Sequence, residues 1–221
     1  MDARTLNVVA TRQADEPASR QERKQRTRQA LLDAALRLLK DRTFDGLSLR
    51  EVAKEAGIVP TAFYRHFESM DDLGIALVER AMRSLRTMIR EARQNPATYD
   101  DAIRSSVHTL RTHVRANEAH FRFLTRERYG GTGPVQAAIA TELRLFASEL
   151  AIDLGRFEGL TEWSADDLRM MADLIVTAML GTVMELVDVR TPDPDTDEEI
   201  AAKARKQLRL IVLGVAGWRS Q

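Results

Sequence analysis

The sequence predicts an all-α chain in which a small N-terminal helix-turn-helix unit precedes a larger helical body. Three observations carry this expectation. Apolar residues recur at helical spacing in segment after segment, no segment alternates apolar and polar residues as a half-buried strand would, and two short helical stretches meet at Gly57. The 221 residues suffice for one or two domains, with 44% hydrophobic and 30% charged residues, a globular balance. The expected division is a mobile arm over 1–19, the helix-turn-helix over 20–67 and the helical body over 68–221.

Met1 to Ser19 shows no sustained period and carries Pro17, the pattern of an arm. From Glu22 to Lys40, Leu31, Ala35, Leu38 and Leu39 make an apolar face while Arg23, Lys24, Arg26, Arg28 and Arg37 occupy others. Asp41 to Leu47, with Gly46, breaks the pattern. Ser48-Leu49-Arg50-Glu51 is a capping box, so a helix starts there and runs through Val52, Ala53 and Ala56 until Gly57 offers a left-handed stop. Pro60 suits a first helical position, and a second short helix follows to Phe67. Ser69 caps a long helix over Asp71–Ala92, which Gln94-Asn95-Pro96 closes. Further helices are expected over Asp100–Ala116, Ala119–Arg128, Pro134–Gly155, Ser164–Asp188 and Thr196–Trp218, with breaks at 130–134 and 190–194.

Charge is distributed unevenly. Arg20 to His66 holds 11 Lys or Arg against 6 Asp or Glu, whereas Phe67 to Gln221 holds 20 against 24, so a net charge of zero conceals a basic end. Local basic charge suits phosphate, although solvated helical faces reach the same balance. The second short helix has matching chemistry. Thr61 and Ala62 offer methyl groups to thymine, Arg65 can bind guanine or phosphate, and Tyr64 and His66 can hydrogen-bond phosphate oxygens. A helical hairpin with a merely solvated Tyr-Arg-His face has the same spacing.

The stretch from Leu47 to Phe67, with its Ala53-x-x-Ala56-Gly57 turn and its Tyr64-Arg65-His66-Phe67 ending, resembles the DNA-binding domain of the TetR family of bacterial regulators. The resemblance implies a homodimer on a palindromic operator of double-stranded DNA, with a ligand-binding body behind the linking helix. By position it implies DNA contacts from Arg50, Lys54, Pro60, Thr61, Ala62, Tyr64, Arg65 and His66. Val59 and Met70 depart from the commonest family residues, which weakens any contact assigned to those two positions. Both departures, together with Phe121-Arg122-Phe123-Leu124-Thr125-Arg126-Glu127-Arg128, are similar to the FabR and DesT subgroup. That likeness implies repression of fatty acid desaturation or unsaturated fatty acid synthesis genes under control of long-chain acyl-CoA or acyl-carrier-protein thioesters.

An acyl chain needs an apolar slot, and Val107, Leu110, Phe121, Leu124, Phe146, Leu150, Met171, Leu174, Ile175 and Met179 could line one or form an ordinary core. Arg122, Arg126 and Arg128 could meet coenzyme A phosphates or make surface ion pairs. The last two helices carry Ala178, Gly181, Gly214, Ala216 and Gly217, and their Ile175, Leu180, Val183, Leu210 and Leu213 are the expected dimer contacts.

No enzyme is expected. The histidines His66, His108, His113 and His120 fall in no metal-site spacing, cysteine is absent, and no phosphate-binding loop, dinucleotide fingerprint or nucleophile elbow occurs. No metal and no cofactor beyond the effector are implied. No signal-like segment and no apolar run near the roughly 20 residues of a membrane span are seen, so a cytoplasmic protein is expected. Two alternatives stay open: a TetR-type regulator of efflux or other metabolism with a different hydrophobic ligand, and a helical acyl-binding scaffold with no role on DNA.

Overall fold

Hydroxyl and carboxylate caps start most of the helices. A computed structural model describes residues 19–40, 42–92, 98–131, 133–189, 191 and 193–220. Among them run α1 (Arg20–Leu38), α2 (Leu49–Glu55), α3 (Pro60–Phe63), α4 (Met70–Ala92), α5 (Tyr99–Ala116), α6 (Glu118–Gly130), α7 (Pro134–Leu154), α8 (Ala165–Asp188) and α9 (Pro194–Val215). Ser19 and Ser48 each close a full capping box, with Glu22 and Glu51 reaching back to the cap amide. Thr98, Ser164 and Asp193 accept from the third residues of α5, α8 and α9, and Ser69 Oγ accepts from the Asp72 amide.

Several sequence expectations shift. Ser19, placed in the arm by its polarity, is the N-cap of α1. The second short helix covers four residues rather than running to Phe67. Val59 offers no side-chain cap, and the following amides of Arg65 and His66 bond three residues back, at 3.2 and 2.8 Å, so the chain tightens into a turn. The last helix ends at Val215, and Trp218 lies beyond it, its ring 6.3 Å from that of Trp163. By length and composition α8 could cross a bilayer, contrary to the expectation that no segment approaches this. One side of α8 packs against α7 and α9, as a core helix does. Met1 to Ala18, the Gln94-Asn95-Pro96 stop, Thr132, Arg190 and Pro192 lie outside the described residues.

The first three helices close around Leu31, Val52, Ala53 and Phe63, all fully buried, with Phe67 against Phe63 at 5.6 Å between ring centroids. Burying an aromatic or branched side chain is worth about 1.5–3 kcal/mol, so this cluster is the main support of a unit otherwise made of short helices. α4 then carries the chain onward for about 35 Å at 1.5 Å per residue. It packs on α1 near its start and on α5, α6 and α7 further along. Asp33 of α1 pairs with Arg80 of α4 at 2.9 Å. At Gly74 the helix passes so close to Phe44 and Val135 that a Cβ there would lie 2.6 and 2.7 Å from their side chains. Helices α5, α7, α8 and α9 complete the body, with α9 held to α5 and α8 by Arg115, which pairs with Asp197 and donates to the Leu186 carbonyl at 2.8 Å.

Candidate nucleic-acid interface and ligand cavity

The turn between α2 and α3 is set by Gly57, whose φ of 72° is a conformation that side chains resist. Its amide bonds the Lys54 carbonyl at 3.0 Å and the Ile58 amide bonds the Ala53 carbonyl at 2.9 Å, the paired closure of a Schellman motif. Ile58 is thereby drawn inward, and Pro60 starts α3 on the outside.

The eight residues expected to meet DNA fall on one continuous stretch. Arg50 and Lys54 on α2, Pro60 and Thr61 on α3, and Tyr64 and Arg65 in the following turn are exposed, Tyr64 at 64%. Ala62 and His66 are half-buried. Burial, followed by the charges of Lys24, Arg28 and Arg65, lowers the His66 pKa, and its Nδ1 is buried without a hydrogen-bond partner. At neutral pH His66 is therefore uncharged, a hydrogen-bonding residue rather than a cation.

Which cations are available is decided by pairing. Arg37 is engaged by Glu55 at 2.6 Å and Arg42 by Glu51 at 2.7 Å. Arg28 donates to the His66 carbonyl at 2.9 Å and lies 4.2 Å from the Phe67 ring centroid, so it clasps the end of the α3 turn to α1. Among the described residues Arg50, Lys54 and Arg65 have no such partner. The Glu51 carboxylate, which would repel phosphate, is held at a pKa of about 2 by hydrogen bonds from Arg42 and Ser48. Nothing in the residue pattern marks Arg28 as structural. Lys24, near enough to His66 to depress its titration, joins the basic face, and its only signal in the sequence is the basic leading end of α1.

The body encloses an apolar cavity of about 140 Å³ between α4, α5, α6, α7, α8 and α9. Of the ten residues expected to line a slot, eight do: Leu110, Phe121, Leu124, Phe146 and Leu150, with Met171, Ile175 and Met179 from α8. Val107 does not, because it turns to Ala201 and Ala204 on α9. Leu174 does not either, since it lies on the outer side of α8 and is 53% exposed. Met82, Leu85 and Ile89 of α4 also face the cavity. Sequence reasoning misses them because it seeks the slot in the body behind the linking helix.

Three of the expected dimer contacts, Ile175, Leu180 and Val183, line this cavity and so point inward. Leu210 and Leu213 are exposed at 69% and 73%, and Met170, Leu174 and Trp218 are exposed apolar residues on the same two helices or just past them. Gly181 and Gly214 have open space where a side chain would be. The three arginines divide as well. Arg122 pairs with Glu118, Arg126 donates at 3.4 Å to the Arg42 carbonyl, and Arg128 alone borders the cavity.

The chain matches two family models: bacterial regulatory proteins of the tetR family over residues 31–77, and a tetracyclin repressor-like C-terminal domain over residues 99–214. Solved structures share the fold. A TetR-family transcriptional regulator from Streptomyces coelicolor matches with a TM-score of 0.66 at 18% identity, covering 87% of this chain and 97% of its own. The fatty acid degradation regulator FadR from Bacillus halodurans matches at 0.65 and 16% identity, covering 89% and 96%. A TetR family transcription regulator from Marinobacter aquaeolei matches at 0.62 and 20% identity, covering 85% and 97%.

Proposed function

The chain belongs to the TetR family of bacterial regulatory proteins and is a DNA-binding transcriptional regulator; from that premise we propose that it represses fatty acid desaturation or unsaturated fatty acid synthesis genes under the control of a long-chain acyl-CoA or acyl-carrier-protein thioester. The observation that carries the ligand assignment is the shape and chemistry of the cavity. Its lining on α7 runs from Ile139 to Leu154, about 22 Å at 1.5 Å per residue, and is aliphatic or aromatic almost throughout. A long alkyl chain matches that length and that chemistry. A solved relative of the same fold is itself a regulator of fatty acid degradation.

Switching follows from α4. The helix lines the cavity through Met82, Leu85 and Ile89, and its first turns meet Phe44 of the DNA-binding unit at Gly74. Arg86 and Glu142 tie it to α7 through a largely enclosed ion pair at 2.6 Å. Ligand in the cavity changes where α4 rests, and a changed separation of two α3 segments across a dimer no longer matches half-sites at fixed helical spacing. The dimer forms through the outer faces of α8 and α9, by Leu174, Leu210 and Leu213 around Gly181 and Gly214. Operator DNA as partner places the protein in the bacterial cytoplasm.

Gel-shift titration on fragments of the bacterial chromosome tests both halves. Retention of a discrete fragment, altered by palmitoyl-CoA at micromolar concentration, is expected. Retention that palmitoyl-CoA leaves unchanged would overturn the ligand while sparing the DNA assignment, and sedimentation showing only monomer would overturn the dimer.

A further inference from the structure

The cavity lining is apolar apart from Tyr99 and Ser106 on α5 and Thr125, Arg128 and Tyr129 on α6, and among the described residues Arg128 is the one charged group that borders it. Beside the C-terminus of α7, Tyr99 and Phe157 stack with ring centroids 5.2 Å apart, and the Tyr99 hydroxyl donates to the Glu158 carbonyl. Thr125, Arg128 and Tyr129 stand at the C-terminus of α6. Arg128 and Tyr129 also border a second, more open cavity of about 360 Å³, completed by Gly133, Gln136, Ala137 and Ala140 at the start of α7. Both spaces therefore border Arg128, one apolar and inside, the other more open to water.

Arg128 is set up unlike its neighbours. Arg122 and Arg126 are engaged within the protein. Among the described residues no carboxylate pairs with Arg128; its Nε is buried without a hydrogen-bond partner and its guanidinium lies 5.5 Å from the Tyr129 ring centroid. A buried donor left unmatched is costly, so a site that keeps one has a use for it when an acceptor arrives. Gln136 holds the end of α6 in place by donating to the Arg128 carbonyl at 3.1 Å.

We propose that Arg128 anchors the anionic head group of an acyl ligand whose tail fills the inner cavity tail-first, with the head lodged where the two spaces border that arginine. This rests on the acyl reading above and adds the ligand's polarity and orientation. The anion is the carboxylate of a free long-chain fatty acid or a phosphate of a coenzyme A thioester, which a planar guanidinium fork binds in the same way.

Displacement of Nile red, a neutral apolar dye, separates these outcomes. The probes are palmitate, palmitoyl-CoA and methyl palmitate, the last being an uncharged ester of the same chain. Arg128→Gln is expected to weaken whichever anionic probe binds the unaltered protein by roughly 10- to 100-fold, the worth of a charged hydrogen bond, while methyl palmitate changes by less than about twofold. Arg128→Lys restores part of the loss. Ala137→Glu, at an exposed position bordering the outer cavity, leaves Arg128 and its Gln136 contact in place but sets a carboxylate in that cavity, and weakens the same probes. A response to palmitate alone or to palmitoyl-CoA alone supports the anchor and names the source of the anion. Equal losses for the ester and the anions, or none for the anions in either variant, overturn the anchor. If methyl palmitate binds and neither anion does, the anchor falls alone; if no probe displaces the dye, the acyl reading falls with it.

Discussion

Replacing Arg50 by Gln probes whether unpaired cations of the α2–α3 face, rather than the basic charge of the N-terminal half as a whole, hold DNA. Arg50, Lys54 and Arg65 are exposed and unpaired among the described residues, giving three cations per protomer and six in a dimer. Each phosphate neutralised contributes about −0.9 to the slope of log affinity against log salt, so six contacts predict a slope of about −5. Arg50→Gln removes two contacts per dimer, and the slope becomes shallower by about 2. The control is the double change Arg37→Gln with Glu55→Gln, which removes an internally satisfied pair at 2.6 Å without altering net charge. Fluorescence anisotropy of a labelled operator between about 50 and 200 mM salt reads both slopes over the range in which this dependence is steep. An unchanged slope for Arg50→Gln, or an equal change for the paired control, would refute the division into free and engaged cations.

Three further perturbations test the framework, each read by urea unfolding. Gly57→Ala meets no steric neighbour but forces a side chain onto a φ of 72°, and is expected to cost about 1–2 kcal/mol; a stability equal to the parent's would show that the turn relaxes freely. Gly74→Ala gains helix propensity of about 1 kcal/mol but overpacks Phe44 and Val135 at a cost of about 1–3 kcal/mol, so a net loss is expected, reduced when Phe44→Leu removes the ring that clashes; a stabilised Gly74→Ala would contradict the close approach. His120 has its pKa lowered to about 4, first by burial and then by the charge of Arg80, so the folded state stays unprotonated while the unfolded chain takes a proton near 6.5. Stability is therefore complete above pH 6.5 and falls by about 2–3 kcal/mol towards pH 4, and His120→Asn should flatten that limb; an acid limb of unchanged depth in the variant would place the loss elsewhere.

Local rules make most of the fold legible. Ser48 and Glu51 mark the start of α2, Gly57 its end and Pro60 the start of α3, and each does what its chemistry requires in the structure. The shortness of α3 is hidden because Phe63 and Phe67 keep a helical spacing of four that a tight turn also satisfies. Side-chain direction on the body helices is less legible. Ile175, Leu180 and Val183 read as outward dimer residues because α8 is apolar on more than one side, and only the packing of α7 and α9 against it decides which side faces the cavity. Pairing is the least legible: Arg28 and Arg65 are alike in sequence, and it takes the fold to show one clasping the His66 carbonyl and the other standing in solvent.

The most direct test of the account is capture of operator DNA by a protein carrying alanine at both Tyr64 and Arg65, the exposed aromatic and cationic groups of the α3 turn. With two such turns per dimer, affinity is expected to fall by about 100-fold or more while the unfolding midpoint stays put, since each lost charged contact is worth roughly tenfold. Undiminished capture by this variant would mean that another surface of the molecule meets DNA.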